Sequence, residues 1–120
     1  MLIRSLEDCP AFVAGDDTVL REILHPEKAD LALRYSLAHA VVPPGQTSLR
    51  HRLKHSEVYY LLSGEGVMHV DDEQAPVRPG DTVYIPPGAV QWIRNTSDEP
   101  IAFLCIVDPA WRAEDEEVLE

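Results

Sequence analysis

The chain is poor in cysteine, in basic residues and in long apolar or helical runs. Only Cys9 and Cys105 occur among its 120 residues. They are too few and too far apart for a disulfide framework or a cysteine-based zinc motif. Cys105 lies in the apolar run IAFLCIV, and both read as ordinary thiols. Lys and Arg number 10 against 21 Asp and Glu, a formal charge of −11. That balance repels phosphate backbones and anionic bilayers, so neither nucleic acid nor a membrane surface is an expected partner. Glu114, Asp115, Glu116, Glu117 and Glu120 crowd the C-terminal end and read as a solvated acidic tail. No apolar run approaches a membrane span, and the opening MLIRSLEDCP lacks the apolar core of a secretory signal. A soluble cytoplasmic protein is the expectation.

A chain of this length suits one domain and buries roughly 65% of its unfolded surface without disulfides or metals, so any metal is optional for folding. Ten prolines and six glycines punctuate short segments rich in Val, Ile, Leu and Tyr. This pattern predicts an all-β domain. Strands are expected at 18–24, 31–42, 48–53, 58–62, 67–70, 82–85, 90–94 and 101–107. The separators PPG, SGEG, DDEQ, RPG, PPG and NTSDEP are turn-forming. Evenly spaced short strands point to a sandwich or small barrel.

Alternation along a strand assigns side chains to faces. In LRHRLKH, Arg50, Arg52 and Lys54 share one parity, which leaves His51 and Leu53 pointing inward. After a turn at Lys54, His55 and Ser56, the inward parity resumes at Glu57, Tyr59 and Leu61. Val58, Tyr60 and Leu62 make the opposite face apolar too, as expected of a central strand or one at a dimer contact. His69 should face out between Met68 and Val70, and Trp92 and Trp111 read as core or dimer contacts.

Two segments resemble the paired motifs of the cupin superfamily. Gly45, His51, Glu57 and Gly64 fall in register with the first, with Leu53 where the family usually has a second histidine. Gly80, Pro86, Gly88 and Asn95 fall in register with the second, with Gln91 in place of its histidine. The resemblance implies a single-domain double-stranded β-helix, the cupin jelly-roll barrel, over 31–109. N-terminal strands over 1–30 are open to exchange in a homodimer, and 110–120 forms an acidic tail or short helix.

The resemblance also implies a metal site inside the barrel. Its usual three imidazoles and one carboxylate suit iron, manganese, nickel, copper or zinc. Carried over residue by residue, the ligands become His51 and Glu57, with Gln91 in a third position. His55 is either a replacement ligand or a solvated turn histidine. Tyr59 and Tyr35 are candidate substrate-binding hydroxyls, with ordinary packing as the alternative. Two functions follow: a small cupin holding a divalent transition metal, as in oxygenases, decarboxylases or isomerases, or a metal-free module that binds a small molecule.

Overall fold

The structure, a computed structural model, describes residues 1–119. Eleven strands follow in chain order: β1 (Ala11–Val13), β2 (Val19–Leu24), β3 (Ser36–Val42), β4 (His51–Leu53), β5 (Ser56–Ser63), β6 (Gly66–Val70), β7 (Glu73–Val77), β8 (Thr82–Ile85), β9 (Gln91–Asn95), β10 (Ile101–Asp108) and β11 (Glu116–Val118). They form two antiparallel sheets, β1-β2-β3-β10-β5-β8 and β11-β4-β9-β6-β7. Crossovers between the sheets give the jelly-roll arrangement of a cupin barrel. No helix is long and apolar enough to cross a membrane.

Strict alternation builds the core. On β10, Ile101, Phe103, Cys105 and Val107 are buried, and on β5 Glu57, Tyr59 and Leu61 are buried in step. Ile85 from β8 and Met68 and Ile93 from the second sheet close the same cluster. Each fully buried side chain of this size contributes roughly 1.5–3 kcal/mol, so this layer dominates the stability of the fold. The second parity of β5 does not enter the core: Tyr60 and Leu62 lie 44% and 43% exposed on the outer face of the first sheet.

Several boundaries differ from the sequence pattern. The expected strand at 31–42 begins only at Ser36, because the preceding residues form a loop in which the Arg34 carbonyl accepts from Ala110 N. DDEQ is a tight turn at Asp71 and Asp72, with Asp71 at φ 51°, followed directly by β7. That strand carries Pro76 but lies at a sheet edge, where a missing N–H is tolerated. The expected strand at 48–53 is reduced to the three residues of β4. Beyond Ala110 the chain makes a 3₁₀ turn at Ala113–Asp115 and then β11, which pairs with β4. In the first thirty residues, β1 and β2 pair within their own chain onto β3.

The motif glycines Gly45, Gly64, Gly80 and Gly88 all have positive φ. At Gly64 a β-carbon would also overlap the Pro100 carbonyl, so the turn into β6 is open to glycine alone. Asn95 is structural as well: its Nδ2 donates to the Val42 and Glu99 carbonyls, and its Oδ1 accepts from Ser97 N and Oγ.

Candidate functional site

A cavity of about 190 Å³ opens between the sheets, walled by Leu20, Leu53, Tyr59, Phe103 and Trp111. His51 reaches it from β4 and Glu57 from β5, both on the inward parity that the sequence assigns them. His51 is 3% exposed and Glu57 7%. His51 Nδ1 lies 2.8 Å from the Leu49 carbonyl. A carbonyl only accepts, so Nδ1 donates to it and Nε2 is the ring nitrogen left for the cavity side. That Nε2 stands 3.6 Å from Asp16 Oδ2, beyond hydrogen-bond distance.

Gln91, completely buried on β9, reaches two side chains of the same strand, β5, in the opposite sheet. Its Oε1 accepts from the Tyr59 hydroxyl at 2.8 Å, and its Nε2 donates to Glu57 Oε1 at 2.8 Å. The hydroxyl supplies the proton at one end and the carboxyl oxygen accepts at the other, which suits this orientation of the amide. Glu57 Oε2 makes no hydrogen bond among the described residues. Burial pushes the Glu57 carboxyl up to about 8; the bond from Gln91 pulls it down, while the Asp16 and Glu116 charges raise it further. Burial likewise raises the Tyr59 hydroxyl well above its ordinary value.

Two carboxylates that the sequence reading passed over complete the lining. Asp16 lies in GDDT, just before the first expected strand; its Oδ1 accepts from Thr18 N and Oγ1, and this turn aims Oδ2 at His51. Glu116 lies in the supposed acidic tail. The β11–β4 register places it opposite Leu53, hence inward, whereas Glu117 falls opposite Arg52 and pairs with it outside at 2.8 Å. The signal was the alternation within AEDEEV, hidden by the charge of both residues. Trp111, partly buried in the cavity wall, donates from Nε1 to Glu116 Oε2 at 3.1 Å. Burial raises the Glu116 carboxyl, His51 lowers it and Asp16 raises it.

The remaining candidates lie elsewhere. His55 is in the β4–β5 turn, its Nε2 3.5 Å from Asp115 Oδ2, and does not line the cavity. Tyr35 is 41% exposed in the loop before β3 and does not line the cavity either. Tyr59 lines the cavity, but its hydroxyl is committed to Gln91. Trp92 belongs to the outer face of the second sheet, where it stacks on His69 at 4.4 Å with the Arg50 guanidinium above it.

These donors do not fit the metal site the motifs imply. Leu53 occupies one imidazole position with a buried hydrocarbon, and both ends of the Gln91 amide are held by protein partners. His55 is outside. Among the described residues no three His, Cys, Asp or Glu side chains are placed to hold one ion. A single imidazole nitrogen beside a carboxyl shifted towards its neutral form is a poor transition-metal set.

Comparison with known proteins agrees with the fold. The cupin domain family matches residues 38–107. An uncharacterised protein of Methanocaldococcus jannaschii is 40% identical over 110 residues, covering 91% of this chain and 87% of that one. An oxalate-binding protein of Thermotoga maritima is 33% identical over 88 residues, covering 72% of this chain and 68% of that one. The crystal structure of a cupin 2 conserved barrel domain protein from Salinispora arenicola superposes with TM-score 0.78 at 23% identity, covering 95% of this chain and 91% of that one. With the motif framework, the two-sheet barrel and the matched domain in agreement, this chain belongs to the cupin family.

Proposed function

We propose that this cupin is a metal-independent module that binds a small molecule in the cavity between its sheets. The observation that carries the reading is the Tyr59–Gln91–Glu57 chain of hydrogen bonds. It uses up the side chain in the third ligand position and leaves a lined, partly apolar cavity beside it. Such a cavity with a few convergent polar groups is the usual form of a small-ligand site. The similarity to an oxalate-binding protein supports binding as the activity type. The test is elemental analysis of tag-free protein after growth with added iron, manganese, nickel, copper and zinc. Every metal should be clearly substoichiometric; one ion per chain retained through gel filtration overturns the reading. Native mass spectrometry of the same sample should show a mass adduct that is lost on unfolding.

A separate observation favours self-association. The outer face of the first sheet presents Leu37, Val58, Tyr60, Leu62, Tyr84, Leu104 and Ile106, with Leu104 flanked by His39 and Tyr60 and Ile106 by Leu37 and Val58. Tyr60, Leu62, Tyr84 and Ile106 are exposed. Contiguous apolar surface of this kind on a chain of charge −11 marks an interface. We infer a homodimer formed through this face.

A further inference from the structure

Carboxyl oxygens predominate among the cavity-facing polar atoms that make no hydrogen bond among the described residues. Glu57 Oε2, Asp16 Oδ2 and Glu116 Oε1 make no hydrogen bond among the described residues, and His51 Nε2 stands 3.6 Å from Asp16 Oδ2. His51 and Glu57 are both more than nine-tenths buried and are lining residues, so these acceptors are fixed parts of the wall. The other ionisable lining groups, Lys28 and Glu22, neutralise each other in an ion pair of 2.7 Å, with the Lys28 side chain 64% exposed. Three carboxyl groups then face at most one imidazolium. Carboxylates held close together in a partly dry cavity repel strongly and are relieved by a nearby cation.

Resting on the small-molecule reading above, we propose that the ligand is a small organic cation, a primary ammonium or amidinium on a compact apolar body. Its N–H groups donate to the Asp16, Glu57 and Glu116 carboxyls, and its body packs on Phe103, Trp111 and Leu53. Size sets the other limit. A cavity of about 150 Å³ accepts benzene, so the 190 Å³ available here suits a ligand slightly larger than one aromatic ring. The same electrostatics disfavour a dicarboxylate, which separates this chain from its oxalate-binding relative.

The test is calorimetry and thermal shift on the full chain with benzylamine, benzamidine and isobutylamine. Benzyl alcohol, benzoate, oxalate and calcium or zinc chloride serve as comparison ligands. At least one amine or amidine should bind saturably, about tenfold or more tighter than benzyl alcohol, with no binding of benzoate or oxalate. Asp16→Asn and, independently, Glu57→Gln should each weaken that binding about tenfold while circular dichroism stays unchanged. Benzoate, oxalate or benzyl alcohol binding as tightly as the amines overturns the cation but leaves small-molecule binding intact. A response to the metal chlorides alone overturns both. So does the absence of any binding, when a cavity-filling Ala38→Leu variant also leaves the co-purifying mass adduct unchanged.

Discussion

The amide of Gln91 on β9 reaches across to Tyr59 and Glu57 on β5 of the other sheet, accepting from the phenol and donating to the carboxyl at 2.8 Å each. All three groups are buried. Tyr59→Phe therefore removes the donor while leaving Gln91 Oε1 without its partner. An unsatisfied buried acceptor costs about 1–3 kcal/mol, and little packing is lost because the ring stack on Phe103 survives. Urea unfolding should show a lower midpoint at unchanged m-value. No change in midpoint would mean that water or a neighbour satisfies the amide.

The two positions that depart from the paired motifs, 53 and 91, both point inward. Leu53 and Gln91 stand inward on β4 and β9 beside His51 and Glu57, and His51 is registered directly opposite Gln91. The double variant Leu53→His, Gln91→His restores the usual donor set on the same framework. It should take up about one nickel or zinc ion per chain by calorimetry, and a further His51→Ala change should abolish the uptake. The natural chain should give no comparable heat. A double variant that folds and still binds no ion would show that the spacing of these strands, and not the side chains alone, prevents coordination.

The Glu57 carboxyl is held at about 8, above its unfolded value of 4.5, chiefly by burial. The folded state therefore holds an extra proton between those values, and the stability that goes with it is full below the lower value and lost as pH rises through the upper one. The cost at alkaline pH is on the order of a few kcal/mol, lessened by local relaxation and by water entering the cavity. Melting temperature should fall between pH 5 and about 8.5. Glu57→Gln, which keeps an oxygen to accept from Gln91, should flatten that slope and be the more stable protein at the upper end. Equal slopes for both proteins would place the titration elsewhere.

The framework was legible because each of its elements has a local signature. Gly64 is dictated by the Pro100 carbonyl against it, and the inward parity of His51 and Glu57 follows from alternation past Arg50, Arg52 and Lys54. What escaped was set by pairing over long sequence distances. Glu116 and Glu117 look alike in a run of acids, and only the register of β11 on β4 sends one to the cavity and the other to Arg52. Asp16 was indistinguishable from Asp17 until the Thr18 hydroxyl fixed its carboxylate beneath His51. The edge strand β7 was masked because EQAPV carries a proline, and only its place at the sheet edge makes that harmless. Charge and helix-breaking residues suppress strand signals, so the missed elements are those that long-range register creates.

Leu104 lies at the middle of the outer face of the first sheet, with His39 on one side and Tyr60 on the other. A charge placed there costs nothing in the monomer's core, because Phe103 and Cys105 are the residues of β10 that point inward. If two copies meet through this face, Leu104→Glu sets two buried carboxylates near each other and should convert the dimer to monomer, since an unpaired charge in a desolvated interface costs several kcal/mol. Light scattering after gel filtration should give twice the chain mass for the natural protein and the single chain mass for the variant. The control Gln74→Glu, exposed on the edge strand β7 of the other sheet, should remain dimeric. A natural protein that is monomeric at micromolar concentration, or a variant that stays dimeric, would move the interface away from this sheet.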